Sequence, residues 1–488
     1  MEENKTLKNR TELNRRTFLR SAVGAAFAGA GISGLSSYAQ AASKSYFGNN
    51  QGSLPNIVFI MADDLGFGEL GCYGQEKIKT PNIDRLASEG MRFTQAYAGS
   101  SVCAPSRSSL LTGFHNGHNR IRDNLPHGVF LRPDDVTAAE VLQRAGYYTG
   151  CIGKWGVGNP GSWGVPERQG FDYFYGHKNQ DQAHFYYPDY LWENDKVKLL
   201  QEMEIVNEVG KMVGNRGGEN RFYTHDLFTK KALQFIDKNH KSPFFLYLPY
   251  TIPHFSDYPA GTPEHFIVPD DKPYSEKDWT QIQKNYAAMI TRMDGDVGKI
   301  IGKLKKYGLE SNTLVIFTSD NGPYGGAPTD FFNSAGPFRG KKRDLYEGGI
   351  RVPFIAKWPG VIKPGTKSEH IIAFWDVLPT LAETAGLKPP KNIDGISFLP
   401  VLKGKEQKEH DYLFWDYGHV RKTYKAALRT GEWKGVFQTG RPPELYNLKK
   451  DKGENNNIAK HHPEIVQKIR ALIDKARKGT ENYPNREF

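Results

Sequence analysis

Short, continuous apolar runs recur along the chain, separated by stretches with helical spacing. Residues 56–61 (NIVFIM), 148–152, 244–248 (FFLYL) and 314–318 (LVIFT) lack the in-out alternation of a half-exposed strand. Runs of this kind predict strands buried on both faces of a sheet. Between them, Thr80 and Pro81 read as the cap and first turn of a helix that Gly90 stops. Amphipathic spacing predicts further helices over 134–145, 227–237 and 276–306. The repeated β-α-β order predicts an α/β fold: a large mixed, mostly parallel sheet flanked by helices. After Asp394 the texture changes. Residues 412–417, 424–429 and 433–438 read as short aromatic strands, and 462–477 as a last helix. This predicts a smaller C-terminal α+β subdomain built on an antiparallel sheet.

Four of the apolar strands run into polar chemistry: Asp63-Asp64, Lys154, His254 and Asp320-Asn321. In open α/β sheets, sites form beyond the carboxyl ends of the strands, so the four ends point to one shared site.

Composition narrows the class. The chain has 488 residues, 38% hydrophobic and 24% charged, which excludes disordered and fibrous proteins. Cys72, Cys103 and Cys151 are too few for a disulfide framework. Residues 14–20 (NRRTFLR) hold a twin-arginine pair, Arg15-Arg16, before an Ala/Gly-rich apolar stretch and Ala39-Gln40-Ala41. This reads as a twin-arginine export signal over 1–41, followed by a flexible linker at 42–53. It places the mature protein in the periplasm or outside the cell. The rest of the boundaries follow: a catalytic domain at 54–394 and a C-terminal subdomain at 395–488. No other apolar run is long enough for stable membrane insertion. The formal charge of +11 suits an anionic substrate, but no nucleic-acid-binding module accompanies it.

Ser101-Val102-Cys103-Ala104-Pro105-Ser106-Arg107 has the pattern C-x-P-x-R, followed by Ser109-Leu110-Leu111-Thr112-Gly113. With Asp63-Asp64-Leu65-Gly66, Thr80-Pro81-Asn82, Gly153-Lys154-Trp155, Thr318-Ser319-Asp320-Asn321-Gly322, Arg339-Gly340-Lys341-Lys342 and Tyr346-Glu347-Gly348-Gly349, the chain resembles the sulfatase family over nearly its whole length. Within that family it resembles the bacterial arylsulfatase-like carbohydrate sulfatases.

The resemblance implies a sulfuric ester hydrolase in which Cys103 is oxidised to formylglycine by a formylglycine-generating enzyme. A hydrated aldehyde has two hydroxyls: one attacks sulfur, and the other lets the covalent ester collapse without attack by water. Asp63, Asp64, Asp320 and Asn321 are the implied metal ligands, with modified Cys103 completing the shell. Oxygen donors alone favour a hard cation, Ca²⁺ or else Mg²⁺, one per chain. Arg107, Lys154 and Lys342 supply fixed positive charge, and Lys342 rather than Lys341 matches the family lysine by its spacing to Tyr346. His254, after Pro253, implies proton donation to the leaving oxygen, shared with Lys342. Because twin-arginine machinery exports folded proteins, oxidation and folding would precede export.

One position departs from the family. Gly156 stands where many sulfatases carry a histidine that takes a proton in turnover. His115 and His118 follow the nucleophile helix and are the candidates to replace it. Residues 171–192 hold nine aromatic residues interleaved with His177, Gln180, Asp181, Gln182 and His184. Such rings stack on sugars and such polar groups bind hydroxyls, although a packed loop has the same composition. Together with Asp416 and His419, the residues His118, Asp181 and His184 are candidate contacts for a sulfated saccharide, as in polysaccharide degradation. The alternative activity is that of a phosphonate monoester or phosphodiester hydrolase of the same superfamily.

Overall fold

The computed structural model describes residues 54–124, 128–200, 222–257 and 260–488. The expected export signal and linker lie outside the described residues. The strands that build the large domain's main sheet and its flank are β1 (Asn56–Ala62), β2 (Met91–Phe93), β3 (Ala96–Tyr97), β4 (Tyr148–Lys154), β5 (Tyr173–His177), β6 (Tyr190–Glu193), β7 (Lys196–Leu199), β8 (Phe244–Pro249), β9 (Thr313–Ser319), β10 (Phe354–Lys357) and β11 (Thr366–Ser368). All but β3 form a ten-stranded sheet, ordered β11-β2-β10-β9-β1-β8-β4-β5-β6-β7. Its central strands, β9-β1-β8-β4-β5, are parallel. Antiparallel pairing sets in at β10 on one side and at β6 and β7 on the other. A short strand β12 (Ile372–Ala373) pairs with β3.

Seven helices matter here: α1 (Pro81–Ser88), α2 (Cys103–Thr112), α3 (Ala138–Arg144), α4 (Thr224–Asn239), α5 (Gln281–Lys306), α6 (Val377–Thr384) and α7 (Pro463–Ala476). Every residue of β1 is buried, and alternate ones feed opposite layers. Ile57, Phe59 and Met61 pack with Leu110, Leu142 and Leu378 from α2, α3 and α6. Val58 and Ile60 pack with Leu86, Phe235 and Met289 from α1, α4 and α5.

Helix starts differ from the sequence reading: α4 starts at Thr224 rather than 227, and α5 at Gln281 rather than 276, behind the Thr280 cap. Thr80 does not cap α1: its hydroxyl donates to Asp84, and the free amides of Asn82 and Ile83 donate to Asp294 Oδ1 on α5. Helix α3 starts at Ala138, behind a Thr137 capping box, because Asp134 and Asp135 pair with Arg120 instead.

The C-terminal region is an antiparallel sheet of β13 (Leu413–Tyr417), β14 (Lys425–Thr430), β15 (Trp433–Gln438) and β16 (Glu444–Asn447). Helix α7 covers one face. The other face packs on the large domain, where Trp415 Nε1 donates to Ala98 O at 2.9 Å. Residues 53–488 form one compact unit, so the change at 394 is a change of sheet within continuous packing. Among the described residues, no helix is long and apolar enough to cross a membrane.

Candidate active site

Strands β1, β4, β8 and β9 run the same way, so their carboxyl ends open on one edge of the sheet. Asp63-Asp64 follow β1, Lys154 ends β4, His254 follows β8, and Asp320-Asn321 follow β9. Cys103 begins α2 on this edge. The backbone at Asp64 takes a left-handed turn (φ 65°), and its amide donates to Asp320 Oδ1 at 3.1 Å. Ser106 Oγ of α2 donates to Asp320 O at 2.5 Å, tying the nucleophile helix to the β9 end.

Three carboxylates and three cations meet here, nearly dry. Arg107 donates to Asp320 Oδ2 from Nε (3.1 Å) and Nη2 (2.8 Å), and Nη2 lies 3.3 Å from Asp63 Oδ2. Its Nη1 donates to Lys154 O at 2.5 Å. Lys154 Nζ sits 2.6 Å from Asp63 Oδ2 and 3.6 Å from Cys103 Sγ. Lys342 Nζ sits 2.8 Å from Asp64 Oδ2, while Lys341 lies against Gly325. Burial pushes the Asp63 carboxyl up, but Lys154, Arg107 and Lys342 outweigh it and hold it at about 2. Burial raises Asp64 despite Lys342. Burial and the neighbouring Asp63 push Asp320 to about 7, against the pull of Arg107. The three carboxylates therefore sit close enough to oppose one another's charge.

The donor set fits a metal ion. Oxygens of Asp63, Asp64 and Asp320 lie within 4.8 Å of one another. Asn321 Nδ2 donates to Asp64 Oδ1 at 2.7 Å, which turns its own Oδ1 outward. Asp63 Oδ1 and Asn321 Oδ1 are buried and receive no hydrogen bond. Acceptors stranded in this way are costly unless a cation takes them up. An all-oxygen set suits a hard cation.

His254 is in a defined protonation state. Its Nδ1 is 2.7 Å from Phe255 O, which can only accept, so Nδ1 carries hydrogen. Its Nε2 is 3.0 Å from Lys342 Nζ, which can only donate, so Nε2 holds a lone pair. Burial first, then Lys342, press its basicity well below that of a free imidazole. Lys342 and His254 thus meet directly, the two residues that the sequence reading had share proton donation.

Asn124 was not anticipated from sequence. Its Oδ1 accepts from Ala104 N at 3.1 Å, and its Nδ2 lies 3.5 Å from Cys103 Sγ. A lone Asn in a loop carries no signal that would have revealed this. At Gly156, the position that departs from the family, the space is taken by another residue. A Cβ built there would come 2.5 Å from Gln180 Nε2, which donates to Gly156 O at 3.0 Å. Gln180 fills the space that a side chain at 156 would need.

Other candidates fall elsewhere. His115 and His118 lie past the carboxyl end of α2, opposite Cys103, and both rings face Asp394. A ten-residue helix is about 15 Å long, so they do not take the place of a histidine at 156. Asp416 and His419 pair at 2.9 Å with fully enclosed side chains, and Tyr424 also donates to Asp416. They belong to the C-terminal core and present nothing to a saccharide. Phe171, Phe174, Tyr175 and Tyr186 are core residues as well, and Tyr173, Tyr187 and Trp192 pack half-buried against the core, so most of the aromatic excess over 171–192 is packing. Asp181 is exposed. His184 does reach the site: it stacks on His254 with ring centroids 4.4 Å apart.

A buried cluster of carboxylates and cations at the strand ends of an α/β sheet suits hydrolysis of an anionic ester. The chain belongs to the sulfatase family, whose profile matches residues 55–387, and the N-sulphoglucosamine sulphohydrolase C-terminal profile matches residues 338–479. It is 31% identical to an N-acetylgalactosamine-6-O-sulfatase of Bacteroides thetaiotaomicron, covering 86% of this chain and 92% of that protein. It is 33% identical to human arylsulfatase A, covering 86% and 87%. Among solved structures, Ps i-CgsB in complex with k-i-k-neocarrahexaose superposes with a TM-score of 0.71 at 28% identity, covering 87% of this chain and 92% of that one. The protein is a sulfuric ester hydrolase resembling carbohydrate sulfatases.

Proposed function

We propose that the chain removes sulfate from a sulfated saccharide, using a formylglycine made from Cys103 and one Ca²⁺ or Mg²⁺. The carrying observation is the pair of stranded oxygens, Asp63 Oδ1 and Asn321 Oδ1, beside Cys103 and its three cations. Asp63, Asp64, Asp320 and Asn321 would hold the cation. When bound, the cation and the hydrated aldehyde supply charge stabilisation and a nucleophilic hydroxyl.

This chain's residues do the rest. Arg107 is locked by Asp320 and presents a fixed charge at the first turn of α2. The amino end of α2 adds its own positive field for sulfate oxygens. Lys154 bridges Asp63 and residue 103, so charge arising on the nucleophile is met without rearrangement. Lys342, with His254 as acceptor for one of its protons, faces Asp64 from the other side.

A saccharide is favoured by the relatives, an N-acetylgalactosamine-6-O-sulfatase and a complex with a neocarrahexaose. The positive chain and the twin-arginine pair favour meeting polyanions in the periplasm or outside the cell. Maturation would involve a formylglycine-generating enzyme and the twin-arginine machinery. The test measures sulfate release from sulfated galactans, glycosaminoglycans and ulvan-type oligosaccharides, beside an aryl sulfate and an aryl phosphonate. A saccharide turned over fastest supports the reading. Preference for the aryl sulfate overturns the saccharide, and preference for the phosphonate favours the alternative hydrolase.

A further inference from the structure

Arg343 holds a backbone shape that its side chain does not favour. Lys341 to Asp344 form a tight turn, closed by Asp344 N donating to Lys341 O at 2.8 Å. Arg343 is the third residue of that turn, with φ at 76°. Glycine or asparagine is the usual occupant of such a position, because a larger side chain crowds the left-handed backbone. The turn is anchored on both sides. Lys342 N donates to Pro323 O at 2.9 Å, and Arg343 N donates to Ser101 O at 2.9 Å. Ser101 lies just before Cys103 in the chain. The strained residue therefore joins the Lys342 turn to the segment that leads into α2.

The Arg343 side chain is exposed, whereas that of Lys342 is buried. Its cationic neighbours have acidic partners. Lys342 meets Asp64 at 2.8 Å, Arg421 grips both oxygens of Asp123 at 2.7 and 2.9 Å, and Lys425 meets Asp344 at 3.0 Å. Among the described residues, no carboxylate pairs with the Arg343 guanidinium. Tyr417 places that guanidinium. Strand β13 turns Trp415 and Tyr417 towards the large domain. Burial and then Asp123 raise the Tyr417 hydroxyl, while Arg421, Arg343 and Lys342 all pull it down. Arg343 and Lys342 thus lie on one side of the site, within reach of the same hydroxyl. Lys342, Lys154 and Arg107 are the enclosed charges for the sulfate that is cleaved. Arg343 stands outside them, a charge without a partner, on a backbone that would be easier for glycine. Strain of this kind persists where a ligand contact needs it.

We propose that Arg343 is a specificity-determining residue that binds a second anionic group of the saccharide, a sulfate or a uronate carboxylate, beside the sulfate ester being cleaved. The inference rests on the saccharide reading. A planar guanidinium takes two oxygens of such a group at once and so holds the sugar in one orientation.

Arg343→Gly and Arg343→Gln are compared with wild type, each as full-length chain matched for aldehyde at residue 103 and for bound metal. The probes are N-acetylgalactosamine 6-sulfate, its 4,6-disulfate, and the 6-sulfate joined to a glucuronate. Wild type is expected to show a KM about 10-fold lower for a doubly charged probe than for the monosulfate. Both variants should lose that preference through KM, with kcat within about threefold of wild type. An effect confined to the disulfate assigns a second sulfate, and one confined to the glucuronate probe assigns a carboxylate. Arg343→Gly should also melt about 1–2 °C higher, because the turn is relieved. Should it not fold, Arg343→Gln decides by its KM ratio. A lower melting temperature with equal losses on all three probes marks an arginine kept for packing and overturns the proposal. A wild type without the preference, or a preference that survives in both variants, overturns it too. Should no probe be turned over, the saccharide reading fails separately, and the probes are ranked as competitive inhibitors of 4-nitrophenyl sulfate hydrolysis. Tighter inhibition by a doubly charged probe that is lost with Arg343 supports the subsite, and inhibition independent of Arg343, or none, overturns it.

Discussion

Lys154 engages only one oxygen of Asp63: Nζ sits 2.6 Å from Oδ2, and Oδ1 is left buried without a donor. One carboxylate thus serves two neighbours, an ammonium on one side and a cation site on the other. Asp63→Asn keeps the shape and removes the charge. Metal affinity is expected to fall on the order of 100-fold, with a parallel loss of kcat. Elemental analysis after dialysis against graded chelator checks this. Full metal content in an active Asp63→Asn protein would contradict the assignment.

Cys103 should carry the aldehyde. Mass spectrometry of the peptide spanning residue 103 is expected to show the oxidised form in active protein. Cys103→Ala should lose on the order of 10³-fold or more in rate, because the nucleophile itself is gone. Undiminished turnover by Cys103→Ala would exclude a covalent route through this residue.

Gly156 is constrained twice. Its φ is +78°, and an added Cβ would press on Gln180 at 2.5 Å. Gly156→Ala should cost about 1–2 kcal/mol in stability. It should also slow turnover, since Gln180 must give up its bond to Gly156 O. Denaturant melts and kcat on one aryl sulfate report the two effects separately.

The Asp416–His419 pair should behave as core. His419→Ala strands a buried carboxylate, and a loss of about 3 kcal/mol is expected. The ratio of rates on a sulfated saccharide and an aryl sulfate should not change. A shift in that ratio would return these residues to the substrate site.

Stability should depend on pH through Glu454. Burial outweighs the pull of Lys434 and raises its carboxyl from 4.5 to about 7. Between those values the folded chain keeps a proton that the unfolded chain releases. Stability from this group is therefore full below pH 4.5, falls as pH rises towards 7, and then levels. The loss is on the order of 2–3 kcal/mol. Urea unfolding of wild type and Glu454→Gln at pH 5 and 7.5 should show a smaller slope in the variant, where Asp320 and Glu69, both also raised to about 7, still titrate in the same window.

The parallel core and the polar strand ends were legible because a strand buried on both faces has no room for charge, so an abrupt polar pair marks where it leaves the sheet. Asp63-Asp64 and Asp320-Asn321 stood out for that reason. Helix starts were less legible where the partner is distant in sequence, as with Asp294 serving the first amides of α1. His115 and His118 misled because nearness along the chain does not say which end of a helix a residue occupies. The rings of 171–192 misled because β5 buries aromatic side chains in the core. Asn124 acts singly, and one polar residue in a loop has no pattern to read.

Cys103 is 1% exposed, and buried Glu347, a few residues after Lys342, pairs with Lys434 of β15. No other protein's active site can reach a thiol so enclosed. An enzyme that acts on Cys103 must therefore work on the chain before the C-terminal sheet docks. Lys434 emerges from the ribosome long after Cys103, which leaves an interval during synthesis when the thiol is open. Oxidation of Cys103 would on this account precede docking of the sheet, and a chain that folds first would keep its thiol.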